Sequence, residues 1–159
     1  MVTESIIDLD SLDLSATALS NKEVLKLNAQ RDEFEQIDKL IHLDVEGGIA
    51  VGIKKQKKDE FWTRGHIPGR PLMPGVMMIE MAAQLGSLLF HKKFKTEGKK
   101  FFGFGGVNNV KFRGAVEPGS TFIMMAKSIK MRSKIAVFHA QGYVDGKMVF
   151  EGDITGIIF

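Results

Sequence analysis

The chain reads as an α+β protein in which an antiparallel sheet wraps one long, buried helix. Three observations predict this. The run Val76 to Phe90, VMMIEMAAQLGSLLF, is apolar at nearly every position, and a helix that is apolar all round is a buried one. From Phe101 onward, strand-like runs alternate with turn signals. Ahead of the helix there is room for two more strands.

Residues 1–19 are acidic and apolar by turns and carry no basic side chain, which suits an arm that packs on a neighbour or stays disordered. Ser20-Asn21-Lys22-Glu23 is a capping box, so a short helix follows through about Asn28. Residues 1–35 are therefore expected to form an arm and short helix, and 36–159 the main domain. Gln36–Leu43 reads as the first strand. Gly47-Gly48 makes a turn, and Ile49, Val51 and Ile53 then alternate with Ala50, Gly52 and Lys54 as a second strand. Pro68, Pro71 and Pro74, with Gly65, Gly69 and Gly75, make residues 59–74 a stiff turn region. Pro74 suits a helix start, and residues 75–91 would form a rod of roughly 25 Å. Four strands are expected after it: Phe101–Phe112, Thr121–Met131, Ile135–Val144 and Lys147–Phe159. Glu117-Pro118-Gly119 and Asp145-Gly146 mark turns between them. The last strand is expected to place Met148, Phe150 and Ile154 on one face. One sheet around such a helix leaves free edges, which favours pairing with a second copy.

Composition narrows the function. A chain of 159 residues with 44% apolar side chains suits one globular domain. The absence of cysteine excludes a disulfide scaffold, a zinc-thiolate site and a Cys nucleophile, and fits a reducing, cytoplasmic setting. The four histidines lack metal-ligand spacing, so no metal site is expected. No Walker A loop, G-x-S-x-G elbow or G-x-G-x-x-G is present. The start lacks the pattern of a secretion signal. The apolar run is too short to span a bilayer and contains Glu80, Gln84 and Ser87. Lys54, Lys55, Lys57 and Lys58, then Lys92, Lys93, Lys95, Lys99 and Lys100, form basic clusters that either dock an acidic partner or are simply solvated. Trp62 and Tyr143 stand alone, so nucleic-acid binding is not expected. Met73, Met77, Met78 and Met81 are core filler or the lining of a flexible tunnel.

Two side chains stand out. Glu80, Gln84 and Ser87 are spaced i, i+4, i+7 and share one stripe of the helix. A lone carboxylate in an apolar setting must be paired, hydrogen-bonded or protonated. Burial favours the protonated form, which can donate its proton. His66 sits in the stiff turn near the helix N-terminus, where Gly75 and Val76 offer free N–H groups able to polarise a carbonyl. A neutral imidazole there can remove a proton alpha to that carbonyl. These parts suit loss of a beta hydroxyl. Spacing alone equally allows a structural histidine and a Glu80 simply bonded to Gln84.

Gly65-His66-Ile67-Pro68-Gly69, Met73-Pro74-Gly75-Val76, Glu80 and Ala83-Gln84 resemble the central motif of the 3-hydroxyacyl-acyl carrier protein dehydratases, a hot-dog fold family. Val107-Asn108-Asn109-Val110-Lys111-Phe112-Arg113, with Val116 and Pro118-Gly119, resembles a second block. The resemblance implies dehydration of a 3-hydroxyacyl-acyl carrier protein to the trans-2-enoyl product in fatty acid synthesis, without a cofactor. It implies a homodimer, or a trimer of dimers. His66 matches the catalytic base, and Glu80 the acid supplied by the other subunit. Gly75, beside Val76, matches the amide that binds the thioester carbonyl, and Gln84 the residue that positions the acid. Phe102 and Phe104 fall near the gate of the acyl tunnel. Glu rather than Asp at 80 points to the branch that dehydrates without isomerising. Two departures stand in the chain: Gln30-Arg31-Asp32-Glu33-Phe34 replaces a His-Arg-Tyr-Pro-like segment, and Ile67 replaces a Phe. A thioesterase using Glu80 as base, and a non-catalytic acyl-binding protein, are the competing readings.

Overall fold

The computed structural model describes residues 3–159, so Met1 and Val2 of the expected arm lie outside the described residues. Its elements are α1 (Asn21–Leu27), β1 (Lys39–Asp44), β2 (Ile49–Lys55), α2 (Gly75–Phe94), β3 (Phe102–Phe112), β4 (Thr121–Arg132), β5 (Ile135–Val144) and β6 (Lys147–Ile158). The six strands form one antiparallel sheet in the order β1-β2-β4-β5-β6-β3. β3 therefore does not join β2. It crosses to the far edge and pairs with β6 alone.

Local chemistry explains the elements. The Ser20 side chain accepts from the Glu23 N–H, and the Glu23 carboxylate accepts from the Ser20 N–H, closing the capping box. Asp145 and Gly146 both have positive φ, 49° and 75°, which gives the tight turn between β5 and β6. α2 begins after Pro74 and ends at Lys95, which takes a left-handed conformation as its C-cap. It runs three residues beyond the expected His91.

The sheet has two apolar faces. Ala50, Phe122, Met124, Phe138, Phe150 and Ile154 face α2 and pack on Met78, Met81, Leu85, Leu88 and Leu89. Met73 and Met77 join this core, so all four methionines are core filler. The side of β2 toward the helix is the small one: a Cβ on Gly52 would stand 3.3 Å from Ile37 and 3.4 Å from Leu85. Larger Val51 and Ile53 point outward with Ile41, Met125 and Tyr143. Met148 belongs to that outer face, contrary to expectation. A bulge at Gly142/Tyr143 pairs Tyr143 with Met148, so Val149 turns inward instead.

The outer face is covered by the chain's own N-terminal arm, not by a neighbour. Ile6, Ile7, Leu9 and Leu12 pack on it. Gln141 staples the arm: its Oε1 accepts from the Ile6 N–H at 2.8 Å and its Nε2 donates to the Glu4 carbonyl at 2.9 Å. Gln141→Ala is expected to cost about 1 kcal/mol or more, because two backbone groups of the arm lose their partners. Denaturant unfolding checks the cost, and faster amide exchange at Ile6 checks its location.

Among the described residues, no helix is long and apolar enough to cross a membrane.

Candidate active site

His66 is held by its loop from three directions. Its N–H donates to the Trp62 carbonyl at 2.9 Å, and Trp62 is itself buried. The far end of the loop is tied by Met73 N–H to the Val116 carbonyl at 2.8 Å. The ring Nδ1 lies 2.7 Å from the Leu72 carbonyl. A carbonyl can only accept, so Nδ1 carries the proton and Nε2 of the neutral ring is left with a free lone pair. The next residue, Ile67, has φ of 55°. A β-branched side chain in the left-handed region costs about 1–3 kcal/mol, so the surrounding loop holds this turn against its preference. Nothing in the sequence marks that strain, since glycine would be the ordinary choice.

Gly75 and Val76 open α2. The first intrachain bond of the helix is Met77 N–H to the Pro74 carbonyl, at 2.9 Å. The Gly75 and Val76 amides therefore lie at the electropositive head of the helix, without helical acceptors. Val76 is exposed. Gly75 must be small: a Cβ there would stand 2.8 Å from the Phe112 ring.

Glu80 lies about 7.5 Å further along the axis and about 140° around it. Its side chain therefore leaves a different face of α2 from the Gly75 amide. It enters a slot of about 70 Å³ that is also lined by Gln84, Ser87, Phe102 and Phe104. His66, Gly75 and Val76 do not line this slot. The chain thus holds two separate groups: an imidazole beside two free amides, and a carboxyl in a slot. Glu80 is half-buried rather than sunk in the core.

Gln84 fixes the acid. Its Nε2 donates to Glu80 Oε1 at 2.8 Å and to the Phe34 carbonyl at 2.7 Å. Its Oε1 accepts from the Gln36 N–H at 3.2 Å. Because both amide hydrogens and the carbonyl are engaged, the amide cannot flip. Glu80 Oε1 is an acceptor in this arrangement, which leaves Oε2 to carry a proton. Gln84 is gripped by Phe34, the end of the Gln30–Phe34 departure, and by Gln36, which the sequence pattern assigns to the first strand although β1 begins at Lys39; Gln30 also lines the slot.

Phe102 walls the slot and stacks on Phe90 with centroids 4.5 Å apart. It can do so only because position 156 on β6 has no side chain: a Cβ there would overlap the Phe102 ring. Gly156→Val is expected to push Phe102 into the slot and lower kcat/KM for acyl thioesters by about 10–100-fold. Steady-state kinetics beside the melting temperature separate this from unfolding.

Lys54 is not part of a docking face. It is buried, donates to the Glu35 carbonyl at 3.0 Å and lies 3.9 Å from Glu60. At the other end of the stripe His91 is also buried, with Nδ1 hydrogen-bonded to Thr96 Oγ1. Burial holds its pKa below the ordinary histidine value. A base with a depressed folded pKa binds protons more readily when unfolded. Stability should therefore be full above about pH 6.5 and fall as pH drops below it, toward the folded pKa. His91→Phe should flatten that part of the Tm–pH curve.

Comparison with known proteins places the family. Residues 28–153 match the FabA-like domain. The chain is 36% identical over 140 residues to a 3-hydroxyacyl-acyl-carrier-protein dehydratase FabZ of Clostridium botulinum, covering 88% of this chain and 96% of that one. It is 34% identical to the protein of the same name from Caldicellulosiruptor saccharolyticus, over 82% of this chain and 92% of that one. A chain of the dehydratase heterocomplex ApeI:P from Xenorhabdus doucetiae superposes with a TM-score of 0.73 at 15% identity, covering 86% of this chain and 91% of that one. That likeness shows the fold, which is the hot-dog fold. The chain belongs to the FabA-like family, among the 3-hydroxyacyl-acyl carrier protein dehydratases.

Proposed function

We propose that the protein is a hydro-lyase that converts 3-hydroxyacyl-acyl carrier protein to the trans-2-enoyl product in cytoplasmic fatty acid synthesis. The observation that carries the reading is the pair of complementary half-sites: an imidazole with Nε2 free, and a carboxyl whose Oε2 alone is unclaimed. Each half lacks what the other holds. A second copy supplies it.

The surface supports that pairing. β3 is an edge strand, and Phe104, Val107 and Phe112 are exposed along it, with Ile67 and Val76 exposed near the loop and helix head. Exposed apolar side chains on an unpaired edge favour closure against another chain. In the resulting homodimer, His66 Nε2 of one protomer removes the C2 proton. Charge moves onto the thioester oxygen, where the Gly75 and Val76 amides receive it. As the C2–C3 double bond forms, the C3–O bond breaks and Glu80 Oε2–H of the other protomer protonates the departing hydroxyl, releasing water. The Nε2 proton and the carboxylate are returned to their starting states by proton exchange with solvent. Arg64 and Arg70, both exposed on the His66 loop, give the acidic carrier protein a place to dock.

A short 3-hydroxyacyl thioester, followed by the absorbance of the conjugated enoyl product, tests the reading. Water loss with the thioester intact is the expected result. Release of free thiol without enoyl product would make the protein a thioesterase, and binding without turnover would make it an acyl carrier.

A further inference from the structure

The block Val107 to Arg113 supplies none of the reacting groups, yet it is bent toward them. On β3, Asn108 pairs with Asp153 of β6, and Lys111 pairs with Glu151. Asn109 and Val110 therefore stand opposite Gly152 alone, which makes a β-bulge. Asn109 has φ of 53°, in the left-handed region that asparagine tolerates better than most residues. Its Nδ2 donates to Asp153 Oδ2 at 3.0 Å, and Asp153 Oδ1 accepts from His139 Nδ1 at 2.7 Å. In a regular strand, residues 108, 110 and 112 would share one face. The bulge breaks that period. Asn108 stays with Asp153 on the outer face, while Phe112 takes the face of its partner Phe150, toward α2.

There the ring meets the head of the helix. A Cβ on Gly75 would stand 2.8 Å from Phe112 Cε1 and 2.9 Å from Cζ, so the ring occupies the place of a side chain at Gly75. Phe150, fully buried, backs the ring with centroids 5.9 Å apart. The strand end is clamped just beyond it. Arg113 N–H donates to the Val149 carbonyl at 2.7 Å, and Arg113 Nη2 donates to Glu151 Oε1 at 2.6 Å. Phe112 is still 52% exposed, so core burial does not account for a bulge that aims it here.

Resting on the dehydratase reading, we propose that Phe112 is a positioning residue for the Gly75 amide. Its ring holds Gly75 in place and keeps water off that flank of the helix head. A donor that is fixed and dry stabilises developing charge more than a solvated one, because water neither screens it nor competes for it. The Asn109 bulge aims the ring. An exposed residue on the outer side of the sheet thereby sets how strongly the amide holds the thioester oxygen. That oxygen gains its charge only as C2 loses a proton, so the ring acts on kcat more than on KM.

The test uses the full chain, a short 3-hydroxyacyl thioester as substrate, and the matching enoyl thioester as an infrared probe. Phe112→Ala should lower kcat about tenfold or more and change KM by less than about threefold. The carbonyl stretch of the bound enoyl thioester should lie below its value in water for the wild-type protein, and move back toward that value in Phe112→Ala. Asn109→Val, a β-branched residue that resists positive φ, should reproduce both effects from the outer face. Asn109→Gly, which keeps the bulge, should match the wild type. Wild-type turnover reports on dehydration itself, and the carbonyl stretch reports on the amide without turnover, so either idea can fail alone. An unchanged kcat and carbonyl stretch in folded Phe112→Ala would overturn the proposal. So would wild-type kcat in Asn109→Val. Loss of the wild-type oligomeric mass in Phe112→Ala would also overturn it, by making the ring a subunit contact instead.

Discussion

His66→Ala is expected to lower kcat for dehydration of a 3-hydroxyacyl thioester by about 10³-fold or more, the upper part of what a positioned general base contributes. Two bonds make the loss specific. The Leu72 carbonyl fixes the tautomer through Nδ1, and the Trp62 carbonyl fixes the backbone at the same residue. Alanine removes only the first and keeps the loop's backbone ties. The melting temperature should therefore fall by no more than about 4 °C, the effect of losing one hydrogen bond in a domain of this size. Stopped-assay kinetics and a thermal melt on one preparation check both halves. Near-wild-type turnover in a folded His66→Ala protein would remove the imidazole from the mechanism.

The second large effect is a recovery. His66→Ala and Glu80→Gln homodimers should each be inactive, yet chains of the two kinds, coexpressed, should regain activity. Random pairing makes half the dimers mixed, and each mixed dimer has one intact site of two, so about a quarter of wild-type activity is expected. The reason is geometric. Glu80 leaves α2 about 140° around from Gly75, and His66 and Gly75 do not line the slot that Glu80 enters, so the proposed dimer joins the two halves across two chains. Glu80→Gln keeps the side chain's size, so the Gln84 contact changes chemistry without opening a cavity. Mixed dimers that form by mass measurement but stay inactive would show that each chain works alone.

Much of the fold is written in local pattern. The capping box at Ser20, the Asp145-Gly146 turn and the apolar run after Pro74 are each decided by neighbouring residues, and each falls where its chemistry predicts. What local pattern cannot carry is pairing. β3 resembles any other strand in sequence, and its pairing with β6 rather than β2 is a long-range choice that no local pattern carries. The inward turn of Val149 is likewise invisible, because a bulge breaks the period that a strand reading assumes. The candidate site divides in the same way. The step from His66 to Glu80, and the Gln84 contact one turn on, lie within one stretch of chain. The partners that immobilise Gln84 do not: Asn28, Phe34 and Gln36 lie 48 to 56 residues earlier. His91 went unread because a lone histidine past an apolar run looks like an ordinary C-terminal cation.

Those distant partners carry a practical consequence. The aim of the acid is fastened to a stretch of chain that contributes no strand to the sheet and little to the core. Substitutions at residues 28–36 that break these bonds would leave β1 to β6 and α2 in place and still leave Glu80 free to swing. Changes there would make a protein that looks native by circular dichroism and turns over slowly.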